Sequence, residues 1–249
     1  MNQKTKQTAA FVGVAVVSLL GFLLRLWQLI SGRSADGLWD LDSPQVVVLA
    51  IFSAAALLGM LILAHSLPPQ RFYAAMFPGG LSSGIGYLAG GVLLAAACIL
   101  GLFGGARVIS LLGILCAGLT IWNGLQRSQG KTPNLLLSSV IAVWLVARII
   151  GDFKSWSIDP AILDYCYPLF ALSCAMMGIY FAAGFSENMG KRRATAFWSM
   201  AGCYFCTVSL ADGGLEGCLL YGGLLCLLLQ NTWCLLRAVP AAGAAESCE

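Results

Sequence analysis

Two arginines lie inside apolar stretches of the sequence, where a charged side chain needs a partner. Arg25 and Arg148 each lie within a run long enough to form a membrane-embedded helix. A guanidinium group that faces lipid costs about 2–3 kcal/mol, and snorkelling towards the membrane surface relieves much of that cost. If both arginines instead face other helices, the nearest acids in the predicted topology are Asp42, Asp159 and Asp164. The sequence therefore predicts two Arg/Asp clusters that form a charged, outward-facing binding pocket, with snorkelling as the structural alternative.

A short pattern follows each arginine, in which a tryptophan stands three residues before an aspartate and a proline comes soon after. It occupies residues 39–44 in one copy and 156–160 in the other. Asp42 and Asp159 suit the cap of a helix, and proline is tolerated in the first helical turn. Tryptophan is common at membrane interfaces. Capping and interface anchoring explain every residue of the pattern. A role of the two aspartates in ligand binding is therefore expected only if the arginines face them.

The sixth apolar stretch carries more polar side chains than the others. They are Asp164, Tyr165, Tyr167, Ser173 and Tyr180. The helix dipole favours an acid near a helix start, and tyrosine suits a membrane interface, so each residue also has a structural explanation. Together with Arg148 they favour this helix as the lining of a pathway, with Asp164 and Tyr167 as substrate-binding candidates.

Patterns typical of catalysis, metal binding or nucleotide binding give no support for an enzyme. Cys203 and Cys206 have C-x-x-C spacing, but they lie inside an apolar stretch without a second pair or a nearby histidine, which favours core packing. His65 is the only histidine. The sequence has no phosphate-binding loop and no nucleophile elbow. We therefore predict no catalytic residue, no metal site and no cofactor.

The composition indicates that membrane-spanning helices position these residues. Of 249 residues, 59% are hydrophobic and only 10% are charged, with a mean hydropathy of +0.84. A soluble domain carries roughly 25% charged residues to cover its surface. We therefore expect an all-α integral membrane protein whose exterior faces the lipid bilayer. The net charge of +3 and the lack of a long Lys/Arg tract argue against nucleic acid as a partner.

Eight apolar stretches are long enough to cross a bilayer of about 30 Å. They fall at residues 9–30, 44–65, 81–103, 106–124, 134–151, 161–185, 194–211 and 216–236. With the N-terminus inside, most Lys and Arg residues fall in cytoplasmic segments and most acids fall at the outer side. The positive-inside rule therefore predicts a multi-pass protein of the cytoplasmic membrane with both termini in the cytoplasm.

The sequence also indicates an internal duplication of a four-helix unit. The Trp-Asp-Pro pattern occurs once in each half, and residues 111–127 align without gaps with residues 221–237. Apolar helices often match each other by chance, so the alignment of residues 111–127 with 221–237 is weak evidence. The shared tryptophan, aspartate and proline are more specific evidence for a duplication. Four spans in each unit leave both copies facing the same way, which predicts two parallel repeats. The predicted units are residues 1–130 and 131–249.

The predicted architecture favours a small-molecule or ion permease, or the membrane subunit of a larger transporter. The alternative is a non-catalytic sensor, immunity or assembly protein that acts through a partner protein at the basic run Lys191, Arg192 and Arg193. That run also suits topology and anionic lipid head groups. An intramembrane enzyme that acts on lipid ranks last, because no two carboxylates stand on one helix face at catalytic spacing.

Overall fold

The described part of the chain is mostly helical. A computed structural model describes residues 3–31, 43–104, 107–157, 162–212 and 214–237, and these ranges contain helices and turns but no strand. The α-helices are α1 (Gln3–Ser31), α2 (Pro44–His65), α3 (Tyr73–Met76), α4 (Leu81–Leu102), α5 (Arg107–Ser128), α6 (Leu135–Trp156), α7 (Cys166–Ala183), α8 (Arg192–Ser209) and α9 (Leu215–Arg237). Short 3-10 turns lie beside α7 and α8, at Ile162–Tyr165, Gly184–Glu187 and Leu210–Asp212.

Eight of these helices, all except α3, are long and apolar enough to cross a membrane. They correspond one to one with the eight predicted stretches, which are confirmed as helices. Their bounds differ most at α1, α6 and α7. The α6 helix continues to Trp156 because Arg148 and Asp152 form an ion pair four residues apart, which stabilises the added turn. The α7 helix begins at Cys166, after a 3-10 turn that contains Asp164.

The centre of the bundle is formed by α8 and α9. The α8 helix packs against α1, α2, α7 and α9, and α9 also packs against α1 and α4. In the apolar, membrane-length part of each central helix 67% of the residues are buried. The corresponding share in α2 is 17%, which places α2 at the periphery. Large apolar side chains such as Ile51, Ile62 and Leu136 are exposed on the outside. Apolar exposure on this scale is typical of a membrane-facing surface.

The two ends of the bundle differ in charge. At one end Arg193 Nε donates to the Leu67 carbonyl at 2.9 Å, which joins the first turn of α8 to the segment that follows α2. We call this the basic end, because it carries the exposed cations Arg71, Lys131, Lys191, Arg193 and Arg237. We call the other end the acidic end, because it carries Asp152, Asp164, Asp212 and Glu216.

Glycines allow α4 to approach its neighbours closely. A Cβ atom on Gly90 would lie 2.7 Å from the carbonyl oxygen of Gly223 in α9, and one on Gly223 would lie 3.0 Å from the Gly90 carbonyl oxygen. A Cβ atom on Gly84 would meet the carbonyl oxygen of Gly124 in α5. Small residues at such contacts are the usual means by which membrane helices pack.

Corresponding helices of the two predicted repeats have different surroundings. The duplication pairs α4 with α8 and α5 with α9. The α8 helix packs against four long helices, whereas α4 packs mainly against α5 and α9. The aligned arginines also differ, since Arg127 is buried and Arg237 is exposed. The duplication therefore stays a prediction from the sequence.

Candidate functional site

Arg25 faces the interior of the bundle and is 1% exposed. Its Nε and Nη2 atoms donate to Asp212 Oδ1 at 2.8 and 2.6 Å, and its Nη1 atom donates to Gln28 Oε1 at 2.9 Å. Nη2 also donates to the backbone carbonyl of Asp164 at 3.1 Å. The guanidinium carbon lies 5.1 Å from the centroid of the Tyr167 ring, within cation–π range. These contacts give a buried cation a carboxylate, an amide and an aromatic face.

The position of Asp212 depends on the end of α8. This helix ends in the 3-10 turn Leu210–Asp212, which packs against α1. The turn points the carboxylate of Asp212 at Arg25, so the pair fixes the acidic ends of α1 and α8 to each other.

Arg148 has two carboxylate partners of its own. Its Nε atom donates to Asp152 Oδ2 at 2.7 Å, and its Nη2 atom donates to Glu216 Oε1 at 3.0 Å. Asp152 lies one turn further along α6, and Glu216 lies in the first turn of α9, where the helix dipole favours a negative charge. The contact with Asp152 lies within α6, and the contact with Glu216 joins α6 to α9.

Both arginine clusters reach one cavity at the acidic end, which we call the polar pocket. It has a volume of about 370 Å³. Its lining includes Arg148, Asp152, Asp164, Asp212, Glu216, Trp156, Tyr165, Tyr221 and Ser209. Arg25 does not line this pocket itself, but it contacts two residues that do, the Asp212 carboxylate and the Asp164 backbone carbonyl.

A second and larger space, which we call the apolar cavity, lies between α1, α2, α7 and α8. Its volume is about 700 Å³. Most of its lining is apolar, and it includes Ala54, Leu57, Phe170, Cys174, Trp198 and Phe205. Polar groups line one end, where Arg25 and Gln28 come from α1 and Tyr167 comes from α7. Phe170 is 52% exposed, so the cavity extends to the outer surface of the bundle.

Hydroxyl groups connect the wall of the apolar cavity to the core of α8. Ser53 Oγ donates to the Leu49 carbonyl at 2.8 Å and accepts a hydrogen bond from Tyr204 Oη at 2.8 Å. Tyr167 Oη lies 3.5 Å from the same oxygen. The three hydroxyl groups lead from buried Tyr204 through Ser53 to Tyr167, whose ring lies beside the Arg25 guanidinium group.

The structure distributes the predicted site residues between the two spaces. Arg148 and Asp164 line the polar pocket, whereas Arg25 and Tyr167 line the apolar cavity. Asp42 and Asp159 lie outside the described residues. Sequence reasoning missed the carboxylates that pair with the arginines, which are Asp152, Asp212 and Glu216. Of these, only Asp152 had a local signal, because it lies four residues after Arg148.

The basic end contains a buried arginine that belonged to no predicted site. Arg127 is 5% exposed, and its Nη1 atom donates to Asn231 Oδ1 at 3.1 Å. Its guanidinium carbon lies 4.0 and 4.3 Å from the ring centroids of Tyr87 and Phe77. Tyr87 Oη donates to the same Asn231 oxygen at 2.9 Å. Aromatic faces and an amide therefore solvate this cation.

The basic run at the start of α8 is only partly on the surface. Lys191 and Arg193 are exposed, but Arg192 is 2% exposed. Arg192 donates from Nε and Nη2 to the Leu235 carbonyl at 3.1 and 2.6 Å, which caps the last turn of α9. Its burial removes Arg192 from the surface available to a partner protein.

The cysteine pair of α8 is part of the hydrophobic core. Cys203 and Cys206 are buried in the core, and Cys203 Sγ lies 3.8 Å from Thr232 Oγ1. Within the described residues, no group of three or more His, Cys, Asp or Glu side chains is placed to hold a metal ion.

No protein family, curated protein or solved structure matches this chain. Its function has to be inferred from the two cavities and the residues that line them.

Proposed function

We propose that the chain is a multi-pass protein of the cytoplasmic membrane and a permease for a small amphipathic molecule. In this proposal the eight long helices span the bilayer as two parallel repeats, with the basic end and both termini in the cytoplasm. The observation that carries the proposal is the apolar cavity of about 700 Å³, which ends at the buried Arg25–Asp212 pair. An apolar space with a few polar groups at one end is the usual form of a small-molecule site.

The relation between the two cavities supports a route through the protein. Asp212 lines the polar pocket and Arg25 lines the apolar cavity, so the ion pair separates the two spaces. A molecule that passes between them has to displace this pair. Further into the bundle, Met200 and Tyr204 are fully buried. Release at the basic end therefore requires helix movement, as in alternating access.

Uptake by proteoliposomes tests the proposal. A panel of labelled organic cations, amino acids and short-chain carboxylates is offered to vesicles with the protein and to vesicles without it. We expect protein-dependent uptake of at least one compound. Ala54→Phe, which fills the apolar cavity from α2, should lower that uptake at least about fivefold, because the substrate site loses volume.

A neighbouring alanine provides the matched control. Ala55 is also exposed on α2 but lines the groove between α1 and α2, so Ala55→Phe should leave uptake unchanged. Absence of uptake across the whole panel by protein that is folded and monodisperse would count against a permease. If such protein co-purified with a stoichiometric partner, the partner-binding alternative, with Lys191 and Arg193 as exposed contacts, would be favoured.

A further inference from the structure

The buried Arg127 has no carboxylate partner among the described residues. It is 5% exposed, and the one acid described at the basic end, Glu187, is exposed and forms no ion pair within the described ranges. The guanidinium group lies against the rings of Tyr87 and Phe77, which attract its charge but do not neutralise it. A buried cation without a counterion is costly, so this site favours a bound anion.

Hydrogen-bond donors around Arg127 also lack acceptors in the described part of the chain. The guanidinium Nη1 atom donates to Asn231 Oδ1, but Nε is buried without a partner. Because arginine can only donate, the oxygen of Asn231 has to face Arg127, which leaves Nδ2 as a second buried donor without an acceptor. Tyr73 is 3% exposed and lies within cation–π range of the same guanidinium group, and its hydroxyl is buried without a partner as well.

Three separate helices bring these donors around one guanidinium group. Tyr73 lies in α3, Arg127 in α5 and Asn231 in α9, and we call the three residues the Arg127 cluster. Buried donors are normally paired. A water molecule could accept hydrogen bonds from the cluster, but it would leave the charge of Arg127 unbalanced. An anion accepts the hydrogen bonds and balances the charge.

A cavity of about 270 Å³ at the basic end lies next to the Arg127 cluster, and we call it the basic pocket. Its lining includes buried Ser83, whose Oγ donates to the Arg127 carbonyl at 3.2 Å, and Cys234, which lies three residues after Asn231 on α9. The exposed Arg237 also lines it, so the basic pocket leads from the surface towards the cluster. A second cation on this route raises the local concentration of anions.

We propose that the Arg127 cluster binds a small inorganic anion of the size of chloride or phosphate. The charge of Arg127 balances the charge of the anion, and Arg127 Nε, Asn231 Nδ2 and Tyr73 Oη donate to it. None of the three residues lines the polar pocket or the apolar cavity. The anion site therefore goes beyond the permease proposal and does not depend on it.

Thermal unfolding of the full-length chain in a neutral detergent tests the site. The midpoint is measured in sodium chloride, sodium phosphate and sodium gluconate at the same ionic strength of about 0.15 M, so that screening is equal. A ligand that binds only the folded state raises the midpoint, and we expect chloride or phosphate to raise it by at least about 2 °C relative to gluconate. Equal midpoints in all three salts would overturn the proposal.

Asn231→Asp separates anion binding from general salt effects. This substitution keeps the oxygen that accepts from Arg127 and Tyr87 and replaces the unpaired Nδ2 by a carboxylate oxygen, so the protein then carries its own counterion. We expect its midpoint in gluconate to equal or exceed that of the parent and its dependence on chloride or phosphate to disappear. The same anion dependence in Asn231→Asp and the parent would show that the effect arises elsewhere.

Two further variants and one lipid complete the test. Arg127→Gln should also lose the anion dependence, whereas Lys131→Gln, at an exposed cation of the same end, should retain it. If Arg127→Gln fails to fold, Tyr73→Phe should at least halve the difference between the salts, because one donor is lost. Stabilisation by phosphatidylglycerol in gluconate that equals the effect of chloride and is absent in Asn231→Asp would assign the anionic group to a lipid head group and overturn a free ion as the ligand.

Discussion

The Arg25–Asp212 pair joins two residues that are 187 positions apart in the chain. Removing both charges from water costs several kcal/mol per ion, and their attraction offsets this only when the remaining hydrogen bonds are made. Arg25 meets that condition through Gln28 and the Asp164 carbonyl. The fold should therefore be more sensitive to the loss of one partner than to the loss of both.

We expect Asp212→Asn to lower the free energy of unfolding by about 3 kcal/mol, because Arg25 then stays buried without a counterion. This loss lies at the lower end of the usual range for breaking a buried ion pair, because the Asp212 side chain is 18% exposed. The measurement is denaturation of the purified protein in mild detergent. The double variant Arg25→Met with Asp212→Asn should recover part of the lost free energy of unfolding. As a control, Arg237→Gln at an exposed site should change the free energy of unfolding little. Equal stability of Asp212→Asn and the parent would refute this role of the pair.

The partners of the arginines show what single residues reveal before a structure is known. A guanidinium group in an apolar helix requires an acid, so the need for partners at Arg25 and Arg148 could be predicted. Asp152 could have been found from its spacing to Arg148 along α6. Asp212 and Glu216 could not, because each lies on a helix distant in sequence from its arginine and meets it only in the folded bundle.

Tyr73 gives a pH dependence at the basic end, outside the eight long helices. Burial raises its pKa from 10.0 to about 12, and nearby Arg127 offsets only part of that effect. The neutral phenol is favoured in the folded state, so its contribution to stability is complete below pH 10 and is lost as the pH rises to about 12. We expect the unfolding midpoint to fall over this interval, and to fall less in Tyr73→Phe. Tyr180→Phe, at an exposed tyrosine, is the control; identical slopes in Tyr73→Phe and the parent would contradict the assignment.

Among the helices, α4 depends most clearly on the absence of side chains. Gly90 and Gly223 face each other across the contact of α4 with α9, where each Cβ would meet a backbone carbonyl oxygen. A backbone atom cannot rotate away as a side chain does, so an added methyl group has to separate the helices.

We expect Gly90→Ala to lower the free energy of unfolding by about 1–3 kcal/mol, since the new methyl group overpacks the contact with α9. Gly118→Ala in α5 is the matched control, because no atom of another helix lies within 4 Å of the Cβ that the alanine would add. That change should be neutral or stabilise the helix by up to about 1 kcal/mol. Denaturation curves of both variants in the same detergent give the comparison, and equal effects would show that the α4–α9 contact tolerates a methyl group.

Helix positions could be predicted more completely than helix neighbours. Apolar length is a property of each segment, so all eight long helices were found from residue types alone. The neighbours depend on which faces fit together, and glycines such as Gly90 and Gly223 determine this through contacts between distant segments. The cavities follow from that packing, so neither the polar pocket nor the apolar cavity could be outlined from the sequence.

At the scale of the whole molecule, the charge difference between the ends persists after the buried arginines are set aside. Arg127 and Arg192 are buried at the basic end, and Arg25 is buried at the acidic end. Because these side chains have structural partners, they say less about orientation than exposed cations do. The exposed cations of the described residues are Arg71, Lys131, Lys191, Arg193 and Arg237 at the basic end, and Arg107 and Lys154 at the acidic end. The excess of exposed cations at the basic end still favours a cytoplasmic position for that end.

Reporter fusions test this orientation in bacterial cells. We expect a fluorescent protein fused after Glu249 to fluoresce and alkaline phosphatase at the same site to be inactive, because both report a cytoplasmic C-terminus. Phosphatase fused after Ser157, at the end of α6, should be active, since the acidic end then faces the outside. The opposite pattern at both sites would reverse the orientation and place the polar pocket in the cytoplasm. Because intact vesicles expose only one face of the protein, the fusions also decide from which side the compounds of the uptake panel have to be offered.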